Sequence, residues 1–121
     1  SSFELKRIAI NRMEFLENDK ISFTYITRED EQKVNAQTGD YAGIVDIGRD
    51  VEGVEVSIFL RELENGSYKV SLRSNDYVNV SDICLMFGGG GHIKAAGCTI
   101  PNGTIEQIKD KLVAQTKLYL K

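Results

Sequence analysis

The sequence predicts an α/β fold in one domain: a small mixed β-sheet with helices packed on it. Three observations carry this. Ile21 to Ile26, Val54 to Arg61 and Tyr68 to Ser74 alternate apolar and polar residues, the period of half-buried strands. Segments with helical spacing and capping chemistry are interleaved with them. The 121 residues suit one modest core, and no repeat, low-complexity tract or interior linker divides them.

Ser1 to Asn18 reads as a helix whose stripe is Leu5, Ile8, Ala9, Phe15 and Leu16, stopped at Asn18-Asp19. In the strand that follows, Ile21, Phe23 and Tyr25 share one face. Thr27 to Val34 reads as a short helix capped by Thr27, with Asp30 in the role of the capping-box acid. Ala36 to Tyr41 is a loop containing Gly39-Asp40. Asp40 is expected to cap a helix from Tyr41 to about Arg49, with Ala42, Ile44 and Val45 facing the core. Asp40 and Asp46 read as structural carboxylates, since no partner acid or metal ligand lies near them in sequence.

Glu64-Asn65-Gly66 marks a hairpin between the next two strands. A two-residue Asn65-Gly66 loop would pair Leu60 with Ser71, apolar against polar. A three-residue loop, Glu64 to Gly66, pairs Leu60 with Val70 and Ile58 with Leu72. A one-residue slip flips every side chain, so the three-residue loop is expected. It sets Ser57 beside Arg73 and puts Lys69, Ser71 and Arg73 on the face away from the aliphatic core. Taken alone, Lys69 and Arg73 read equally as solvated strand positions.

Asn79 is expected to cap a helix from Val80 to Phe87, with Ile83, Met86 and Phe87 as its buried stripe and Gly88 as its stop. His92 to Ala96 has room for about one turn of helix. Cys98 to Ile100 reads as a short strand closed by Pro101-Asn102-Gly103. Thr104 and Gln107 form a capping box for a last helix, with Ile105, Ile108, Leu112 and Tyr119 on or near one face. Its lysines, Lys111, Lys117 and Lys121, read as a solvated face.

The chemistry centres on Phe87-Gly88-Gly89-Gly90-Gly91-His92, followed by Lys94 and Ala95-Ala96-Gly97. Glycine loses the most backbone entropy on folding, so a run of four needs a compensating reason. One reason is close approach of bare amides to an anion, most simply a phosphate. The other is a hinge or a tight helix-to-strand turn. Gly88 is already accounted for as a helix stop. His92, the sole histidine, favours the anion reading.

Composition excludes several classes. A net charge of -3 argues against avid binding of long nucleic acid, though not against a local basic pocket. No apolar run approaches the roughly 18 residues of a membrane span. Two well-separated cysteines, Cys84 and Cys98, read as reduced buried thiols of a cytoplasmic protein. With one histidine and no ligand-spaced cluster, no self-contained metal site is expected.

Two segments together carry a family resemblance: Gly53-Val54-Glu55-Val56 leading into Ser71-Leu72-Arg73-Ser74, and the glycine run with His92 and Ala95-Ala96-Gly97. From about Ile21 to its end, the chain resembles the C-terminal DHH-associated, substrate-binding domain of DHH-family phosphoesterases. The branch it resembles is the oligoribonuclease and 3',5'-bisphosphonucleoside phosphatase type. The resemblance implies a parent enzyme with a second lobe whose Asp-His-His signature holds manganese. No such signature occurs here, so residues 1–121 are expected to be a fragment without that lobe and inactive alone. The implied ligand is a short oligoribonucleotide or phosphorylated nucleotide, and the implied partners are the DHH lobe and a second copy of the parent. Carried over residue by residue, Arg73, Ser74, Gly89, Gly90, Gly91 and His92 are the implied substrate contacts, while the role of Lys94 stays open. The same lobe serves cyclic or linear dinucleotide phosphodiesterases, and a stand-alone nucleotide- or RNA-binding module is the non-enzymatic alternative.

Overall fold

The computed structural model describes residues 2–35, 41 and 43–121. Strands β1 (Glu14–Leu16), β2 (Ile21–Ile26), β3 (Val56–Glu62), β4 (Tyr68–Ser74), β5 (Gly90–His92) and β6 (Ala95–Ile100) form one mixed sheet in the order β1-β2-β3-β4-β6-β5. Helices α1 (Ser2–Arg12), α2 (Arg28–Lys33), α3 (Ile44–Arg49), α4 (Val80–Leu85) and α5 (Ile105–Lys117) pack on it. Only β2 and β3 pair in parallel, and the crossover this demands carries α2 and α3.

The hairpin register is the one that hydrophobic matching requires. Leu60 pairs with Val70, Ile58 with Leu72, and Ser57 with Arg73. Gly66, at φ 84°, takes the left-handed position of the three-residue loop. One sheet face buries Phe23, Val56, Ile58, Leu60, Val70 and Leu72 against Val80 and Ile83 of α4 and Ile108 and Leu112 of α5. Burying each such side chain contributes roughly 1.5–3 kcal/mol. The other face is covered over β2 and β3 only, where Ile26 and Phe59 meet Leu5 and Ala9 of α1 and Ile44 and Val45 of α3. Among the described residues no helix covers that face over β4, β6 and β5, and α3 reaches only its border at Arg73.

Both expected capping boxes are present. Thr27 Oγ1 accepts from the Asp30 amide at 3.1 Å while Asp30 accepts from the Thr27 amide at 2.8 Å. Thr104 and Gln107 reciprocate at 3.1 and 2.9 Å.

Four expectations are corrected. The first helix ends at Arg12, not Asn18. Arg12 is held by Asp30 at 2.6 and 3.1 Å and lies over the Tyr25 ring, 4.3 Å from its centroid. The chain then reverses through Glu17, Asn18 and Asp19, all at left-handed φ, so that Glu14 to Leu16 pairs with β2. Phe15 is exposed there, and Lys109 of α5 anchors β1 through Glu14 at 2.8 Å. Second, α4 stops at Leu85, which leaves Met86 exposed and not buried. Third, His92 to Ala96 forms no helical turn. Its residues close a β-hairpin in which His92 pairs with Ala95, and the strand expected at Cys98 begins at Ala95. Fourth, the helix expected from Tyr41 begins at Ile44, with Gly43 at φ 86° in its N-cap position. Asp40, its expected cap, and Ala42 lie outside the described residues.

Candidate functional site

The open face is organised by one cross-strand row. Ser57 pairs with Arg73, Arg73 with Ala95, and Ala95 with His92. Directly paired residues project to the same side of a sheet, and each strand step is about 4.8 Å. Arg73 and His92 therefore stand on one face with backbones about 10 Å apart. Only the Ala95 methyl lies between them in the row. The adjacent row, Ser71, Gly97 and Gly90, is equally low. An arginine and an imidazole thus flank a floor of alanine and glycine, a shallow seat for a flat or anionic group.

The glycine run divides into parts with different causes. Gly88, at φ 81°, closes α4 by a Schellman motif. Its amide donates to Leu85 O at 3.1 Å, and the Gly89 amide donates to Cys84 O at 2.9 Å. A Cβ on Gly89 would stand 2.2 Å from Gly97 O, so this glycine serves backbone packing. Gly91, at φ 146°, faces Ala96, whose Cα lies 2.7 Å from where a Cβ would be. Gly90 differs: its φ is ordinary and a Cβ there would meet nothing within 4 Å. The fold does not require its missing side chain; a ligand approaching the open face would. As an edge strand, β5 also leaves backbone donors and acceptors unpaired on one side.

Arg73 is pre-positioned. Its Nη1 donates to Leu72 O at 3.0 Å and its Nε lies 3.4 Å from Asp46 Oδ1. Asp46 also holds Arg49 Nη1 at 3.3 Å. Nη2 has no hydrogen-bond or ion-pair partner among the described residues. His92 is exposed and makes no hydrogen bond among the described residues. The hairpin that carries it is latched at its tip, where Ser74 N donates to Lys94 O at 3.1 Å and Val80 N to Ile93 O at 2.8 Å. The Lys94 side chain is exposed. Among the described residues, no group of three His, Cys, Asp or Glu side chains could hold a metal ion. The described residues therefore offer no ligand set for manganese. Cys84 and Cys98 are buried free thiols, and a hydrogen bond to Cys98 together with burial pushes Cys84 well up.

A family model described as the DHHA1 domain matches residues 18–121. The chain belongs to the DHHA1 domain family. This DHHA1 domain is 42% identical over 74 residues to the bifunctional oligoribonuclease and PAP phosphatase NrnA of Thermus thermophilus, covering 61% of this chain and 22% of that protein. It is 47% identical over 49 residues to the oligoribonuclease NrnB of Bacillus subtilis, 40% of this chain and 12% of that protein. The chain thus spans under a quarter of either relative. An exopolyphosphatase-related protein from Bacteroides fragilis superposes with a TM-score of 0.89 at 27% identity, over 98% of this chain and 34% of that one.

Of the six residues expected at the site, the DHHA1 domain gathers Arg73, Gly90 and His92. Ser74 is corrected. It faces the opposite side of the sheet, is 3% exposed, and donates its hydroxyl to Val78 O at 2.7 Å. The Gly89 amide donates to Cys84 O. Gly91 keeps only its edge-strand backbone.

Glu55 has an organising role that its sequence neighbours did not reveal. It is 5% exposed, and its carboxylate accepts from the amides of Asp76, Tyr77 and Val78, the last two at 2.9 Å. Asn75 Nδ2 adds bonds to Arg49 O at 2.8 Å and Val54 O at 2.7 Å. The loop that follows Arg73 and Ser74 is thereby fixed. A charged residue at the start of an apolar strand, with no basic neighbour in sequence, was the available signal.

Proposed function

We propose that this DHHA1 domain is the substrate-binding lobe of a manganese-dependent phosphoesterase acting on short oligoribonucleotides or 3',5'-bisphosphonucleosides. The metal and the hydrolytic chemistry belong to a separate DHH lobe, and the work of this chain is to bind and orient. The carrying observation is the row that sets Arg73 and His92 on one open face across an alanine and glycine floor. The names of the relatives NrnA and NrnB support the substrate class.

On this reading the free Nη2 of Arg73 donates to a phosphate oxygen. The Gly90 backbone lets the phosphate or a base edge sit close to the sheet. His92 donates a ring N–H from the other side. Holding the substrate in a reactive pose contributes to rate through orientation, the effect that gives positioned reactants effective molarities far above any real concentration.

The test is titration of the 121-residue chain with 5'-AMP, followed by NMR chemical shifts, beside Arg73→Ala and His92→Ala. The expected result is weak, saturable binding to the native chain and none to either variant, with melting temperatures nearly unchanged. Addition of manganese should produce no hydrolysis. Metal-dependent turnover by the pure chain would refute the division of labour, and unfolding of both variants would make the residues structural.

A further inference from the structure

We propose that Cys84 and Cys98 form a redox switch beneath the glycine run: an intrachain disulfide between them displaces Gly90 and His92 from their places opposite Arg73. The effect on ligand binding rests on the Arg73–His92 face being the phosphate site. The disulfide and the displacement do not.

The fold places the pair. Cys84 lies on α4 and Cys98 on β6, both in the core between helix and sheet, 0% and 6% exposed. Their thiols are hydrogen-bonded to each other, and residues 1–121 contain no other cysteine. Gly89 touches both residues. Its amide donates to Cys84 O at 2.9 Å, and a Cβ on it would stand 2.5 Å from Cys98 Cβ and 2.7 Å from Cys98 Cα. Gly89 leads directly into β5, where Gly90 pairs with Gly97, the neighbour of Cys98, and His92 pairs with Ala95. A disulfide draws the two sulfurs from hydrogen-bond contact to covalent distance, and the end of α4 toward β6 with them. Gly89 already fills that space, since its Cβ would also stand 2.2 Å from Gly97 O. It therefore yields outward, and β5, an edge strand paired on one side only, moves with it.

The contact also divides the roles. The Cys84 S–H donates to Cys98 Sγ. That bond pulls the Cys98 thiol down against its burial, with help from Lys69, while the same bond and burial push Cys84 up. Cys98 is thus the nucleophile and Cys84 the resolving thiol that keeps its proton. The oxidant is a peroxide, small enough to enter when the end of α4 opens. That helix has six residues, and Leu85 and Met86 at its end are exposed. The Cys98 sulfur attacks one oxygen of hydrogen peroxide and the O–O bond breaks. The departing hydroxide takes the thiol proton and leaves as water, and Cys98 becomes a sulfenic acid. The Cys84 sulfur then attacks the Cys98 sulfur, the S–O bond breaks, and the hydroxyl leaves as water with the Cys84 proton. Two thiols are oxidised to one disulfide, and one peroxide is reduced to two waters.

The experiment treats the 121-residue chain and its Cys84→Ala variant with hydrogen peroxide. Mass spectrometry, the amide shifts of Gly89 to His92 and titration with 5'-AMP are read before and after. The native chain should lose the mass of two hydrogens while staying monomeric, and the amides should shift with no ligand present. Affinity for 5'-AMP should fall roughly tenfold, the loss of one hydrogen bond to a charged group. Dithiothreitol should restore both the shifts and the affinity, which separates the disulfide from sulfoxide at the exposed Met86. Cys84→Ala should stop at an oxygen adduct of Cys98. If that variant unfolds, the native chain before oxidation, after it and after dithiothreitol supplies the comparison. No disulfide, or a disulfide-linked dimer in its place, would overturn the switch. A disulfide that leaves the amides of Gly89 to His92 unshifted would overturn its coupling to the glycine run. Shifted amides in a chain that binds no 5'-AMP even when reduced would support the switch and overturn the phosphate site.

Discussion

Replacing Asp46 with Asn should tighten phosphate binding about fivefold, a change of about 1 kcal/mol. Asp46 Oδ1 stands 3.4 Å from Arg73 Nε and 3.3 Å from Arg49 Nη1. A phosphate on the free Nη2 of Arg73 would lie across the guanidinium from that carboxylate, with the two negative charges about 7 Å apart. Their repulsion is about 0.6 kcal/mol in bulk water and about 2.4 kcal/mol at an effective dielectric of 20. A half-exposed site lies between these limits. Asn keeps an oxygen to accept from Nε, so the pose of Arg73 survives the loss of charge. The lost ion pairs are partly exposed and should lower stability by no more than about 1 kcal/mol. Calorimetric titration with 5'-AMP reads the affinity. Repeating it between about 0.1 M and 1 M salt should shrink the gain, as the screening length falls from about 10 Å to about 3 Å. Asp46→Ala serves as the control: it removes charge and acceptor together, so it should bind less tightly than the Asn variant. Weaker or unchanged binding by Asp46→Asn at low salt would refute the reasoning, since it would mean that Arg73 does not meet an anion there.

The glycine run should split under substitution. Gly90→Ala should fold normally and lose ligand affinity, whereas Gly89→Ala and Gly91→Ala should each destabilise by roughly 2 kcal/mol or more, the range of overpacking, as read by thermal melts. Glu55→Ala should cost roughly 3 kcal/mol in chemical denaturation, because three loop amides lose their acceptor. A loss under about 1 kcal/mol would mean that water replaces the carboxylate. Acid stability should depend on Asp30. Burial alone would raise its pKa, but bonds from Arg12 and from the Thr27 amide and hydroxyl outweigh burial and hold it below the usual carboxylate range. The folded value therefore lies below the unfolded one. The stabilisation is complete above the unfolded pKa near 4 and is lost as pH falls through the folded value. Melting temperatures of the native chain and Asp30→Asn should differ near neutrality and converge in acid; parallel curves would show that the pair does not carry the acid limb.

Long elements and local caps were legible in the sequence because their causes are local. The register of β3 and β4 followed from matching Leu60 with Val70 and Ile58 with Leu72. Thr27 and Thr104 announced their helices through a partner three residues on. What escaped had causes distant in sequence. Phe15 and Leu16 fit a helical stripe, and only pairing with β2 and the Lys109 anchor turned them into a strand. The hairpin at His92 was hidden because glycine and alanine carry no strand preference; β4 imposes it by pairing with β6. The motif that proposes Arg73, Gly90 and His92 does not by itself assign them to a face; strand pairing does. Ser74 follows Arg73 in sequence and therefore points the opposite way, into the core side of the sheet.

One row of the sheet joins the fold to the site. Read across the strands it runs Ser22, Ser57, Arg73, Ala95, His92. At its covered end, Ser22 and Ser57 are small enough for α3 to settle on them. Ser57 donates to Val45 O at 2.7 Å, and a Cβ on Gly48 would stand 2.4 Å from Ser22 Oγ and 2.6 Å from Ser57 Oγ. That close seating of α3 carries Asp46 and Arg49 to the border of β4, where Asp46 meets Arg73. At its open end, the same row presents Arg73 and His92 across Ala95. Small residues therefore act at both ends of the row, admitting a helix at one and, on the proposed reading, a ligand at the other, and the helix they admit is the one that sets the arginine. A one-residue slip of the hairpin would undo all of this together, because it would turn Arg73 into the core and Leu72 onto the open face. The hydrophobic match that fixes the register thus also fixes which side chains reach the open face.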